Sequence, residues 1–394
     1  MNAAPIHTAA TRTAIVCSAK HWTSPVHLSG HHVAKFLVKR GWRVCFLSTP
    51  TSPLHAVAAR RDTMHRERLR IWRSGGGYDL GGQLYYYTPL TIVPPSRVKG
   101  LDHPFLFGSW ERMTLPRLQR HLTHRGFGRP DLMIIESALM APAWEALGRP
   151  RLVYRVTDRN DDFPNMPSAL HAMERRLASA AELVVVTGDR LLSYVERLKP
   201  RETMVVANGV EIEHFSRTQP QPPEYSKIPG PRILYVGTIA EWFDTELVGA
   251  LATACPEFSF VIIGPGDNRL ERITSLPNVH ILGPRPYADI PAYMQHASVG
   301  LIPFARSGME EFVDDINPLK LYEYMAAGLP VVTTAIDQVT KLGAPVHQLN
   351  SAADGAQTLR ILAGDSSNRT LEREFAAKFD WSSQLAPLAA RLGL

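Results

Sequence analysis

The chain has 394 residues, of which 45% are apolar, 20% charged and 8% aromatic. That length points to two or three domains, and the composition excludes a disordered or fibrous chain. The net charge of +6 hides an uneven split: residues 1–215 hold 29 basic and 18 acidic side chains, net +11, and the remainder 14 and 19, net −5. Twelve of the 15 histidines also fall in the first part. Such asymmetry predicts an anionic partner for the first half, such as a membrane surface, a phosphorylated acceptor or nucleic acid. Cys17, Cys45 and Cys255 offer neither a disulfide framework nor a metal-ligand spacing, which suits a reducing cytoplasm.

In chain order, Thr13 to Phe46 reads strand, helix, strand. The first apolar stretch, Ala14 to Cys17, is too short for the core of a signal peptide, and no run approaches the length of a membrane span. Any membrane association is therefore expected to be peripheral. Segment 56–73 carries Arg60, Arg61, Arg66, Arg68, Arg70 and Arg73 against Asp62 and Glu67. It reads either as a solvated helix face or as a surface for an anionic membrane or acceptor, with Tyr85, Tyr86, Tyr87, Ile92 and Val93 as an apolar complement. Further strands are predicted at 84–87, 132–135, 152–156, 183–186 and 204–207, then at 233–236, 258–263, 279–282, 299–303 and 330–333. Short β-branched runs separated by helix-length segments imply two doubly wound α/β domains with parallel sheets. Between them the proline-rich run 218–231 is expected to form no regular structure. Residues 370–394 read as helix, interrupted at Phe379-Asp380-Trp381-Ser382, where a chain would cross between domains.

The segment from Ile316 to Val332 carries the most chemistry. Asn317-Pro318 reads as an N-cap followed by proline at the first helical position, so that free backbone N–H groups face a ligand. Lys320 and Glu323 share one helix face. A lysine there suits a diphosphate, and a carboxylate one turn on suits ribose hydroxyls; the bland alternative is a surface ion pair. Gly237-Thr238 and Gly264-Pro265-Gly266 close predicted strands where a missing Cβ admits a nucleotide. Arg285 is a candidate for nucleobase or phosphate. Asp158 follows a predicted parallel strand, at the crevice where such domains bind ligands, and there it can take a proton from an acceptor hydroxyl. Lys20, His21 and Trp22 follow the first strand and are candidate acceptor contacts, with Trp22 as a stacking platform. His31-His32 lacks the neighbours of a metal site, so no metal and no cofactor are expected.

The run Asn317-Pro318-x-Lys320-x-x-Glu323-Tyr324-x-Ala326-x-Gly328-x-Pro330-Val331-Val332 resembles the donor-binding motif of GT-B fold glycosyltransferases, the superfamily that includes glycosyltransferase family 4. Val236-Gly237-Thr238, Ile262 to Gly266, Asn278 to Gly283, Ala297 to Phe304 and Val206 to Glu211 agree in order and spacing. Cys17 to Pro25, Ile135-Glu136-Ser137 and Leu152 to Asp158 look most like the membrane-associated, xanthan-type glucuronosyltransferases. The resemblance implies two Rossmann-like domains facing a cleft: residues 1–217 for the acceptor, 218–231 as linker, 232–375 for a nucleotide sugar, and 376–394 as a helix crossing back. It implies sugar transfer from a UDP-sugar, UDP-glucuronate among the candidates, to a glycan or lipid-linked acceptor. Asp158 falls on the general base and Lys320 on the diphosphate ligand, with Gly237, Thr238, Gly264, Gly266, Arg285, Phe304, Asn317, Leu319 and Glu323 around the donor. A cytoplasmic enzyme, peripheral on the inner membrane face, is expected.

Pro284 or Arg285, Phe304, Pro318-Leu319 and Glu323 depart from the xanthan-type pattern towards family 4. Family 4 retains configuration and the xanthan type inverts it, so the stereochemistry stays open. Family 4 also places an acidic residue ahead of the motif, and Glu310, Glu311, Asp314 and Asp315 all stand there. Two other classes compete. A sugar-nucleotide epimerase on the same fold needs no acceptor. A nucleic-acid or anionic-surface binder fits the charge, but the basic residues are scattered and form no recognition motif, so no nucleic acid is expected. A dinucleotide-dependent dehydrogenase lacks its Gly-x-Gly-x-x-Gly after the first strand.

Overall fold

The computed structural model describes residues 11–53, 63–93, 103–159, 167–364 and 369–394. Two large sheets are present among the described residues, one on each side of the proline-rich run, besides a two-stranded ribbon in the first half. The first has eight strands in the order Thr203–Val205, Leu183–Val186, Arg151–Val156, Leu132–Ile135, Thr13–Ser18, Arg43–Ser48, Leu84–Tyr87, Gly77–Asp79. All neighbours are parallel except the last pair. Strands such as Leu132–Ile135 are apolar at every position and buried throughout, as a sheet covered on both faces requires. Strand order reverses between Thr13–Ser18 and Leu132–Ile135, which opens a crevice beyond their carboxyl ends.

The second sheet runs Val279–Gly283, Ser259–Ile263, Arg232–Val236, Val299–Ile302, Val331–Thr334, Val346–Leu349, all parallel. Its order reverses between Arg232–Val236 and Val299–Ile302, so Gly237 and Phe304 stand just past the switch point. Four of the observed strands escape prediction, among them Leu90–Thr91 and Thr114–Leu115, which pair as a two-stranded ribbon. Val346–Leu349 (Val-His-Gln-Leu) is a half-exposed edge with no apolar run, and Gly77–Asp79 is three residues long.

The proline-rich run is more ordered than expected. Pro223–Ser226 forms a turn of 3-10 helix, and buried Tyr225 donates to the Tyr293 carbonyl at 3.1 Å. The Gln219 N–H donates to Gln295 at 2.9 Å. These contacts fasten the run to the second domain. Arg60, Arg61 and Asp62 lie outside the described residues, but helix Thr63–Arg73 is present. It is not uniformly solvated: Arg68 turns inward and donates to the carbonyl of Ala19. Tyr85 and Tyr87 point into the core of the first domain, because alternate strand residues share a face, so they cannot join an outward apolar surface.

The chain crosses back at its end. Helix Thr370–Ala377 buries Phe375 and Ala376 in the second domain. Val210 and Phe379 are then joined by a backbone hydrogen bond of 2.9 Å, and Asp380 caps helix Trp381–Leu392 through the Ser382 N–H at 2.8 Å. This last helix buries Trp381, Leu385, Leu388 and Leu392 among Val33, Leu37, Val153 and Leu183 of the first domain. Ion pairs join the domains elsewhere: Arg190 holds Asp315 at 2.7 Å and Asp337 at 3.0 Å, and Arg159 holds Glu311 at 2.8 Å and Asp315 at 3.3 Å. Asp314 is paired with Arg306 at 2.7 Å.

Because Leu385 is fully buried and Leu371 is 68% exposed, Leu385→Ala is expected to lower stability by roughly 2–5 kcal/mol and Leu371→Ala by less than about 0.5 kcal/mol. Chemical denaturation of the two variants checks the docking of the last helix.

Candidate active site

A cavity of about 350 Å³ lies between the carboxyl ends of the two sheets. The first domain contributes Lys20, Val26, His27 and Asp158; the second contributes Gly237, Thr238, Gly264, Arg285, Phe304, Leu319, Lys320 and Glu323. A wider cleft of about 820 Å³ adjoins it, lined by His21, Trp22, Glu67, Asp79 and Tyr86. His27 and Tyr287 line both, their rings stacked across the domain boundary with centroids 4.0 Å apart.

Asp158 sits two residues past strand Arg151–Val156, where its residue is exposed to the cleft. Thr157 Oγ1 donates to its Oδ2 at 2.9 Å. Loss of solvation raises its pKa above the ordinary carboxylate value; Thr157 opposes the rise, Glu136 adds to it and Arg155 opposes it. Behind it, fully buried Arg155 lies 3.5 Å from Glu136, and Ser29 donates to the same carboxylate at 2.5 Å. Asp158 thus presents a carboxylate of raised basicity to the cavity.

Opposite stands Lys320, on helix Leu319–Ala326. Its ammonium is 4.6 Å from the centre of the Tyr235 ring and 4.7 Å from that of Phe304, and it meets the Tyr235 hydroxyl at 3.3 Å. Removal from water pulls its pKa down to about 7, against the attraction of Glu323. Glu323, one turn along, is pushed up to about 7 by burial, with Lys320 resisting. An anion entering here would favour the charged form of a lysine whose proton is held less tightly than in water.

Gly237 and Gly264 line the cavity and also answer to a packing constraint. Gly237 has φ +153° and Gly264 φ +147°, a region that favours glycine. A Cβ on Gly264 would collide with the Gly237 carbonyl oxygen, and one on Gly237 would crowd the Lys320 ammonium at 2.9 Å. Their missing side chains therefore make room for each other and for Lys320, while their backbones still line the cavity. Gly266 is absent from the lining; it accommodates Ile239 and Leu270.

Asn317 is not an N-cap. The helix starts at Leu319 after an extended Pro318, and the Asn317 side chain is buried between protein partners. Leu319 lines the cavity and also packs on the core of the first domain. Phe304 is held by its N–H, which donates to Thr334 at 3.1 Å. Arg285 reaches the rim, but its guanidinium is tied to Glu224 at 2.9 Å and to the Leu282 carbonyl at 2.5 Å, which restrains it from a phosphate. Trp22 is only 6% exposed; its indole N–H donates to Asp79 at 2.7 Å and its ring lies on His31. Those are the contacts of a packed wall, not of an open stacking platform. His21 is buried and its pKa falls to about 4, chiefly by desolvation and then by Arg68. Lys20 lines the inner cavity, with its ammonium 4.0 Å from Met64 sulfur. None of Glu310, Glu311, Asp314 and Asp315 lines it, because the last three are spent on arginines.

Sequence reasoning missed His27, Tyr287, Trp242 and Phe312, all wall residues. Only their position beyond strand ends would have pointed to them. Among the described residues no group of three or more potential ligands is placed to hold a metal ion, and no helix is long and apolar enough to cross a membrane.

Comparison with known proteins agrees with this geometry. Residues 16–187 match the family model "Glucuronosyltransferase GumK, N-terminal domain", and residues 230–362 match "Glycosyl transferases group 1". A protein of Bacillus subtilis (strain 168) named "Putative teichuronic acid biosynthesis glycosyltransferase TuaH" is 28% identical over 232 residues, 54% of this chain and 57% of that protein. The UDP-glucuronate:glycolipid 2-beta-glucuronosyltransferase of Xanthomonas campestris pv. campestris is 26% identical over 207 residues, 51% of this chain and 48% of that protein. The chain therefore spans about half the length of the curated relatives it matches. The structure of sucrose-phosphate synthase from Thermosynechococcus elongatus superposes with a TM-score of 0.69 at 17% identity, over 97% of this chain and 99% of that one. Two glycosyltransferase family models thus match one on each side of the cavity, and the chain has the GT-B fold and resembles glycosyltransferases, the xanthan glucuronosyltransferase among them.

Proposed function

We propose that the protein transfers a sugar from a UDP-sugar to a hydroxyl of a glycan or lipid-linked acceptor. The observation that carries this reading is that Asp158 and Lys320 line one cavity from opposite domains. Asp158 takes the proton of the acceptor hydroxyl as its oxygen attacks the sugar C1. The bond from C1 to the diphosphate oxygen breaks, and UDP departs with the negative charge facing Lys320. A single displacement of this kind inverts the anomeric centre. With a lysine and backbone N–H groups at the leaving group, turnover in excess EDTA is expected to match turnover without it. The name of the Xanthomonas relative supports UDP as the carrier and UDP-glucuronate as a donor to try first.

Asp158→Asn and Lys320→Ala are each expected to lower turnover by ~10²-fold or more, with nucleotide release as the readout. Full activity in either variant would overturn the assignment. In the wild type, activity falls as pH drops through the raised pKa of Asp158, because only the ionised carboxylate accepts a proton.

UDP binding also reports on Lys320. Its pKa stands near 7 in the free site, and a diphosphate beside it raises that value. At about pH 8 binding is therefore expected to take up a sizeable fraction of a proton, and affinity to fall as pH rises further. Calorimetry in buffers of different ionisation enthalpy measures the uptake, which Lys320→Ala should remove.

We propose further that the first domain meets an anionic membrane surface. Ile92, Phe105 and Leu115 are exposed near the ribbon Leu90–Thr91/Thr114–Leu115, with Arg112 and Arg117 close in sequence. Sedimentation with anionic vesicles at low salt, lost on vesicles of neutral lipid, is the expected result. Absence of binding to both removes the proposal.

A further inference from the structure

One chain of buried hydrogen bonds joins the base to the donor helix and uses side chains that take no part in the chemistry. Thr187, fully buried, donates from Oγ1 to the carbonyl of Thr157 at 3.2 Å, next to Asp158. The carbonyl of the same Thr187 accepts from Asn317 Nδ2 at 2.7 Å. Asn317 Oδ1 accepts from Tyr322 at 2.6 Å, within helix Leu319–Ala326, so the amide is anchored two residues ahead of that helix and three ahead of Lys320. A second strand of the network runs through Asn208: its Oδ1 accepts from Arg155 at 3.2 Å, and its Nδ2 donates to the Asn317 carbonyl at 2.7 Å.

The orientation of both amides is set by their partners. Turning Asn317 over would oppose its oxygen to the Thr187 carbonyl; turning Asn208 over would oppose its NH₂ to Arg155. All of these side chains are buried, so each bond broken leaves a polar group with no water to replace the partner. The network spans the domain boundary, with Thr157, Thr187 and Arg155 on the first side and Asn317 and Tyr322 on the second. Asn317 and Asn208 are neutral, which lets the junction stay dry without adding a charge beside Asp158.

We infer that Asn317, seconded by Asn208, is a positioning residue that sets the spacing between the base Asp158 and the leaving-group lysine Lys320. The inference rests on the proposed roles of those two residues. Closure of the domains is then read out at the reacting atoms: the network forms only when the donor helix and the base loop are in register, and a shift of about 1 Å in such a register can cost on the order of 10²-fold in rate. Donor binding itself uses the second domain and does not need the network.

The test separates the two effects. Asn317→Asp keeps the acceptor for Tyr322 but opposes an oxygen to the Thr187 carbonyl; Thr187→Val keeps the shape and cuts only the bond to Thr157. Both are expected to lower kcat by ~10–10²-fold while UDP affinity, measured by calorimetry, and KM for the donor stay within about threefold. Asn208→Ala combined with Thr187→Val is expected to lose less than the product of the single losses, because the two act on one register. Wild-type kcat in both Asn317→Asp and Thr187→Val overturns the inference. So does a loss of UDP affinity in step with kcat, which would make Asn317 a donor ligand. If Asp158→Asn stays active, the base assignment falls and the inference as stated falls with it, even where these variants slow. If Asp158→Asn is inactive and these variants turn over normally, the register role alone falls.

Discussion

Keeping one ammonium largely out of water is the constraint around which the centre of this molecule is arranged. Moving a charged amine into a protein interior costs several kcal/mol unless something answers for the lost hydration. Here two aromatic faces do part of it, Tyr235 and Phe304 on either side of Lys320, with Glu323 one turn away. Space for the head group comes from Gly237, and Gly237 is accommodated in turn by Gly264. The compensation is incomplete, since the amine still holds its proton less tightly than in water. The proposed diphosphate would complete it. Two strand ends, two glycines, two rings and a helix thus converge on a site that is least comfortable when empty.

The charge asymmetry along the chain also acquires a local meaning. Two of the first half's cations are spent locally on the second half. Arg159 and Arg190 reach across to Glu311, Asp315 and Asp337. Asp315 is buried in this junction, where an ion pair matters more than on an open surface. Four histidines of the first half contribute little positive charge near neutral pH: His21, His31 and His32 are buried and His27 is half-buried, and desolvation lowers the pKa of each. Opposite signs on the two halves therefore help to hold the halves together.

What could be read from residues alone follows from how local the cause is. Buried parallel strands announce themselves as apolar runs, so Leu132–Ile135, Leu183–Val186 and Val299–Ile302 were legible, and the two doubly wound domains with them. Asp158 and Lys320 were legible because strand ends and one dense motif constrain them. Asn317 was placed correctly at the head of that motif but misread, since nothing in Asn-Pro says that the amide turns towards Thr187, 130 residues earlier. Trp22 misled for the same reason: its burial against His31 and Asp79 depends on partners remote in sequence or on the next helix. The strand Val346–Leu349 gave no signal because it is four residues long and its two middle residues, His347 and Gln348, are both exposed, so neither an apolar run nor an alternation marks it.

The helix Trp381–Leu392 has a consequence for how the polypeptide is made. It is translated after every strand of both sheets, yet it covers the flank of the first sheet beside Val33, Leu37 and Val153. During synthesis the first domain must wait with that apolar flank uncovered until the second domain has followed it out of the ribosome. Domain order along the chain and domain completion in time are thus reversed, and the half that emerges first is the last to close.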